Sequence, residues 1–354
     1  MHVFSGNFFL YGDMSSRVMA TLKAFSPILE VYSVDEAFLD LRSLPHHELF
    51  SYGCHIKKIV KQWTGIPVSV GIAPTKTLTK VANHLAKQHP SNCYTLLSPE
   101  KIEDVLRDFP LQDVWGIGRQ WSKRLAAFNM NTALDLARAD MNWIRKTFNV
   151  ILARTALELR GIPCLKLEDM APPKKSMISS RSFGTPVTSF DVLREAVSYH
   201  ASRLAYKLRE QESNASLLSV SIRTNPFDKK GRFYANTHLI PLGTPSQDTT
   251  VLIKTAASAL RVIFREGLSY KKVGVMVLNL SPETYAPSYL FKEMEIEDSF
   301  KRHSLLQTID KLNHKYGKGS LVFASEGVRK LWHPKSSWKS PSFTQSWNQL
   351  PLVR

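Results

Sequence analysis

Residues 32–41 read Tyr-Ser-Val-Asp-Glu-Ala-Phe-Leu-Asp-Leu. Two adjacent acids, Asp35 and Glu36, stand inside an otherwise apolar run that reads as a strand over 31–41. Successive side chains of a strand point to opposite faces. A buried strand has no reason to carry two neighbouring carboxylates unless something binds their charge. A divalent cation is the common answer, and Mg²⁺ held by carboxylates plus substrate phosphates is its usual form. The decapeptide therefore points to phosphoryl or nucleotidyl transfer. The plainer alternative is a strand end with two solvated acids, and the flanking sequence has to decide.

Working outward, Met14, Val18, Leu22 and Phe25 are spaced for one face of a helix over 14–26. A second helix is predicted over 46–63, closed by Thr64-Gly65. The β-branched run 66–73 reads as a buried strand, and a helix follows over 76–88. This β-α-β-α order predicts a small sheet covered by helices. Residues 99–161 are helical in pattern and contain Val114-Trp-Gly-Ile-Gly118 ahead of an amphipathic helix. Such a turn can offer backbone N–H groups to a DNA phosphate, although a plain tight turn explains it as well. Pro163, Pro172 and Pro173 before Lys174-Lys175 read as a linker. Strand signals at 178–187, 217–223, 233–240 and 270–280, with helices at 191–211 and 247–266, give the order β-α-β-β-α-β of the ferredoxin-like split βαβ plan. A sheet of that kind buries one face under its helices and leaves the other for binding. Arg181, Arg223, Lys229, Lys230, Arg232, Lys271 and Lys272 fall on or beside its strands.

Composition agrees with a division of labour. The 354 residues are 43% hydrophobic, enough for two or three cores, and carry a net charge of +17. The charge is uneven: net +4 over 1–173, +9 over 174–280, −4 over 281–300 and +8 over 301–354. The region of the acidic pair is almost neutral, and the excess that suits a polyanion lies in a later module and in the tail. Cys54, Cys93 and Cys164 form neither a disulfide framework nor a metal knuckle, which fits a reducing compartment. No apolar run approaches the ~20 residues of a membrane span. Residues 301–316 suit a helix, and the Ser, Pro and Trp-rich chain after Lys335 is expected to lack its own core.

With these pieces in order, the chain resembles a known family. Tyr32-Ser-Val-Asp-Glu-Ala-Phe-Leu-Asp40 resembles the second catalytic motif of the Y-family, translesion DNA polymerases. Val70-Gly-Ile-Ala-Pro-Thr-Lys-Thr-Leu-Thr-Lys-Val-Ala-Asn83 resembles the palm segment, and Val114-Trp-Gly-Ile-Gly-Arg119 the thumb hairpin. The stretches Ala82-Asn-His-Leu-Ala-Lys87, Asp113-Val-Trp-Gly-Ile-Gly118, Leu159-Arg-Gly-Ile-Pro-Cys164 and Ser180-Arg-Ser-Phe-Gly184 are similar to the UmuC-like branch.

The resemblance implies an α+β, multidomain polymerase. It divides into a partial palm (1–98), a helical thumb with a helix-hairpin-helix (99–165), a linker (166–175), a ferredoxin-like split βαβ little finger (176–282) and a strap with a basic C-terminal tail (283–354). It implies that Asp35 and Glu36 bind a catalytic Mg²⁺ pair and that Lys80 reaches the incoming triphosphate. It also implies that Gly116 and Gly118 form the phosphate-binding turn. Ser33 stands beside the acids, and Tyr11 and Arg17 are expected to be structural. The implied partners are primer-template DNA, dNTP, a UmuD-type subunit, RecA and the sliding clamp, within a bacterial SOS response in the nucleoid-associated cytoplasm, with no membrane.

Two departures qualify this. Members of the family begin with a strand, roughly Asp-x-Asn-x-Phe/Tyr, that supplies a third metal-binding carboxylate and a steric gate, followed by fingers. Neither is found here, and Asp13 has the wrong context to replace that ligand. An incomplete site with little or no polymerase activity is therefore expected. The alternative is a non-catalytic DNA-binding or regulatory remnant. The clamp peptide is also weakened: Pro287-Ser-Tyr-Leu-Phe291 keeps Leu290 and Phe291 but has no glutamine.

Overall fold

The computed structural model describes residues 2–167, 173–228, 231–284, 296–330, 332–334, 336–350 and 352, with the backbone alone for 296–300. The chain divides into two compact units. One comprises Met1–Ala171 with Trp338–Arg354, the other Pro172–Ser337.

The first unit opens with α1 (Phe8–Leu22), whose start is capped by the Asn7 side chain accepting from the Leu10 N–H. A hairpin follows, β1 (Leu29–Val31) antiparallel to β2 (Ala37–Leu39), then α2 (Leu49–Thr64), closed by left-handed Gly65. β3 (Val70–Ile72), α3 (Lys76–Ala86) and β4 (Cys93–Thr95) make a βαβ unit with parallel strands. Gly71 is required there: a Cβ on it would lie 2.2 Å from the Asn83 backbone nitrogen. Next come α4 (Pro99–Asp108), α5 (Arg119–Ala126), α6 (Ala133–Arg138), α7 (Met141–Thr147) and α8 (Val150–Leu159). Their starts are legible in the sequence. Ser98, Thr132, Asp140 and Asn149 each cap the following helix with a side-chain oxygen, and Pro99 sits in the first turn of α4. One apolar cluster runs from Leu78, Val81 and Leu96 into Leu106, Leu125, Leu136 and Ala156, so α3 is held by the helices that follow it.

The second unit has the predicted order: β5 (Ser176–Val187), α9 (Phe190–Glu210), β6 (Ser213–Thr224), β7 (Ala235–Ser246), α10 (Thr249–Ile263) and β8 (Tyr270–Pro282). The strands form one antiparallel sheet ordered β5-β8-β6-β7. Leu218, Val220 and Ile222 of β6 and Val273, Val275 and Val277 of β8 are buried with Leu204, Leu208, Leu252 and Leu260 of the two helices. α11 (Ile296–Tyr316) belongs to this unit and is tied to α9 by the ion pair of Arg209 and Asp310, 2.6 Å apart. Beyond it the described residues form only short 3-10 turns as helical elements, yet Trp332 is fully buried in the sheet-and-helix core.

Candidate active site and nucleic-acid interface

The acidic pair does not lie within a strand. Residues 32–36 form the loop between β1 and β2, closed by hydrogen bonds from the Tyr32 and Ser33 N–H groups to the Glu36 carbonyl, each 3.0 Å. Asp35 is exposed, Glu36 is half-buried, and the Ser33 hydroxyl donates to the Asp35 carboxylate. The expectation of a buried strand over 31–41 is thus corrected: the apolar run supplies two three-residue strands, and the acids occupy the solvated turn between them. Hydration there removes the desolvation cost that two adjacent buried carboxylates would incur.

α3 brings the cations to this loop. Thr75 caps its start, so Lys76 and Lys80 stand four residues apart on one face. The Lys76 ammonium pairs with Glu30 of β1, and the Lys80 ammonium lies 2.6 Å from the Glu36 carboxylate. Lys80 also sits 4.7 Å from the Tyr32 ring centre, 5.7 Å from Phe38 and 5.8 Å from Trp115. The Trp115 indole N–H donates to the Tyr32 hydroxyl at 3.1 Å.

Trp115 belongs to the turn that ends in the glycines. Gly116 has φ +86, a region that favours glycine, and Gly118 is the cap position of α5 with no side-chain oxygen on the helix's free N–H groups. Both glycines are exposed, and a Cβ on either would meet nothing within 4 Å. The helix start is therefore open to an anion.

A carboxylate that the sequence reading passed over holds α3 in place. Glu158 of α8 is fully buried and accepts from the Thr77 N–H at 2.9 Å, the Thr77 hydroxyl at 3.1 Å, the Cys164 N–H at 2.7 Å and the Leu165 N–H at 3.0 Å. A single acid in the apolar run Leu157-Glu158-Leu159 was the available signal, since a buried charge demands partners. The aromatic cluster of Tyr32, Phe38 and Trp115 left no such signal, because its members are brought together only by the fold.

On the second unit the basic residues separate by face. Arg223 of β6 is directly opposite Lys272 of β8, and Lys272 is directly opposite Ser182 of β5. These three share the face without helices with Ser180, Ser219, Ser221 and Gly274. Gly274 keeps the face flat: a Cβ there would lie 2.9 Å from that of Ser180. Arg181 is opposite Val273, on the helix-covered side of the sheet at edge strand β5. The Lys271 ammonium is partly spent inside the fold, donating to the Phe183 carbonyl at 2.8 Å. Arg232 is exposed in the β6–β7 connection. Lys229, Lys230, Leu290 and Phe291 lie outside the described residues. In the first unit, Arg17 pairs with Asp13 along α1 at 3.0 Å. Among the described residues no group of three or more His, Cys, Asp or Glu stands close enough to hold a metal ion, and no helix is long and apolar enough to cross a membrane.

Residues 1–84 match the impB/mucB/samB family, residues 174–288 its C-terminal domain, and residues 303–353 a domain of unknown function. The chain is 40% identical to the protein ImpB of Salmonella typhimurium, over all of this chain and 84% of the relative. It is also 40% identical to the protein UmuC of Salmonella typhimurium strain LT2, over 99% of this chain and 84% of that one. A DNA polymerase IV of Treponema denticola is 25% identical over 88% of the chain and 76% of its own length. The fold is that of a solved Y-family DNA polymerase chimera of Dbh and Dpo4, with a TM-score of 0.61 and 20% identity over 78% of each chain. On this evidence the chain belongs to the impB/mucB/samB family, as a UmuC-like member of the Y-family DNA polymerases.

Proposed function

We propose that the chain serves error-prone, translesion DNA synthesis, with Asp35 and Glu36 as metal-binding carboxylates and Lys80 as the triphosphate-facing cation. The observation that carries this reading is the convergence of the acidic loop, the Lys80 ammonium and the open α5 start within one unit. The donor set suits the ion. Mg²⁺ takes hard oxygen ligands, commonly one or two carboxylates with waters and substrate phosphates. Mg²⁺ bound there would supply charge neutralisation and an activated primer hydroxyl for in-line transfer. The protein's share is placement. The hairpin presents both carboxylates to solvent, Glu158 fixes the start of α3, and Lys80 stands ready for developing negative charge on phosphate oxygens.

The open face of the second unit supports a DNA-backbone interface. Like charges directly opposite on neighbouring strands are unfavourable. Arg223 beside Lys272 is best accounted for by an anion that neutralises both, and the small hydroxyl residues around Gly274 allow a phosphate backbone to come close. Gly116 and Gly118 offer a second phosphate contact. Primer-template DNA and dNTP are the substrates in this reading. A UmuD-type subunit, RecA and the sliding clamp are its partners, in an SOS-type response in the cytoplasm.

Two carboxylates form a weak metal site, so primer extension by the 354-residue chain is expected to be slow or undetectable while DNA binding persists. The test is primer extension with Mg²⁺ and dNTPs beside a DNA-binding titration. Extension that disappears in Asp35→Ala establishes the active site and refutes the expected weakness. DNA binding without extension favours the non-catalytic alternative, for which the solvated, two-carboxylate loop is the supporting observation. Loss of both overturns the reading.

A further inference from the structure

Lys80 and Glu36 face each other at 2.6 Å inside a ring of three aromatics. Three features set this contact apart from an ordinary surface ion pair. The Lys80 side chain is only 18% exposed, whereas Glu36 is 41% exposed, so the cation is the enclosed partner. Tyr32, Phe38 and Trp115 all lie within 6 Å of the ammonium, the range in which a ring face attracts a cation. Tyr32 is itself held by the Trp115 indole and by its backbone bond to the Glu36 carbonyl. The enclosure and the carboxylate are thus parts of one small structure, and its occupant is the protein's own lysine.

We propose that Lys80 is a parked cation that competes with a divalent ion for Glu36. The inference rests on the metal-binding reading of Asp35 and Glu36 given above. While Lys80 is parked, Glu36 is neutralised from within the fold, and the acidic loop persists without accumulating two uncompensated charges. Loading requires an exchange of partners. Glu36 gives up the ammonium to take the divalent ion, and the ammonium leaves the cage to meet the oxygens of a nucleoside triphosphate. No covalent bond forms or breaks; only ionic partners are exchanged. One side chain thereby couples ion affinity to triphosphate affinity. The acidic loop discriminates against ions that arrive without a triphosphate, because only the triphosphate offers Lys80 a new anion.

The consequence has a sign opposite to that of a supporting role. Removing Lys80 should strengthen binding of a divalent ion added by itself. The test is a titration of the full chain with MnCl₂ alone, followed by the paramagnetic resonance signal of free Mn²⁺, for wild type, Lys80→Met, Tyr32→Leu and Glu36→Gln. Matched thermal unfolding confirms that each variant is folded. Lys80→Met is expected to bind Mn²⁺ about two- to tenfold more tightly, the range of an exposed ion pair plus a cation–π contact. Tyr32→Leu changes no charge but opens the cage, and should bind more tightly by a smaller factor. Glu36→Gln should bind more weakly. Unchanged or weakened binding by Lys80→Met, with weakening by Glu36→Gln, overturns the parked cation and leaves the metal site standing. A gain in Lys80→Met with none in Tyr32→Leu reduces the effect to general charge and overturns the proposal as well. If Glu36→Gln binds as wild type does, or no protein binds Mn²⁺, the metal-site reading falls and the proposal with it.

Discussion

The two chemically pointed regions of this chain are built in opposite ways. The basic face rests on four strands of 12 or 13 residues in one continuous sheet, with a core of its own on the other side. The acidic loop hangs between two strands of three residues each. Arg223 and Lys272 are placed by strand register, which a slip of one residue would reverse and which the buried valines therefore enforce. Asp35 and Glu36 are placed by neighbours from elsewhere in the chain: Lys76 and Lys80 of α3, Trp115 of the glycine turn, and Glu158 at one remove. A surface on a self-sufficient sheet tolerates change one residue at a time. A site assembled from several helices depends on each of their anchors.

That contrast can be broken by experiment, and the largest effect is expected from paired glycine substitutions. Gly71→Ala puts a methyl group against the α3 backbone, which cannot yield. Its cost should exceed the ~1–3 kcal/mol of ordinary overpacking and abolish native packing of α3 on β3. Gly274→Ala meets mainly the Ser180 and Ser221 side chains and should stay within that range. Urea unfolding of the full chain measures both, and equal losses would erase the distinction. Glu158→Ala is next. It strands the buried Thr77 N–H at the start of α3 and leaves the Cys164 and Leu165 N–H groups that follow α8 without their acceptor, and a loss of about 3 kcal/mol is expected from the same measurement. Full stability in Glu158→Ala would mean that α3 is held by apolar packing alone.

The second unit carries a pH dependence of its own. Burial, with Arg203, His333 and Arg181 nearby, pushes the pKa of His200 down to about 3 from the 6.5 of an ordinary imidazole. The folded protein keeps this imidazole neutral while the unfolded chain takes up a proton. Stability is therefore lost as pH falls below about 6.5, with a slope of up to about 1.4 kcal/mol per pH unit. Denaturation midpoints between pH 7 and 5 should show this slope in wild type and lose it in His200→Gln. Persistence of the slope in that variant would assign it elsewhere. The smallest effect concerns DNA. Arg223→Ala with Lys272→Ala should weaken binding and reduce the salt slope by about two, whereas Arg181→Ala, on the other face, should change it less. Equal effects from both faces would remove the open face as the interface.

Much of this was legible beforehand. The helix starts follow from Ser98, Thr132, Asp140 and Asn149, and the β-α-β-β-α-β order from alternation and turn residues. The acidic pair, Lys80 and the glycine turn were visible as residue types at a spacing. Their surroundings were not. An apolar run around Asp35 and Glu36 looked the same whether it formed one buried strand or two short ones with a turn. Arg181 looked equivalent to Arg223, because only register assigns a strand residue to a face.

By itself the sequence determined local matters: where capped helices start, the order of strands and helices in the second unit, and where positive and negative charge collect. These depend on residues a few positions apart, so capping, periodicity and turn chemistry suffice. Only the tertiary structure decided that Lys80 rests on Glu36 among Tyr32, Phe38 and Trp115, that Glu158 is the anchor of α3, and that Trp332 closes the core of the second unit. Those contacts join residues 35 to more than 100 positions apart in the chain. They are selected by packing and by the need to pair every buried polar group, which no local pattern encodes.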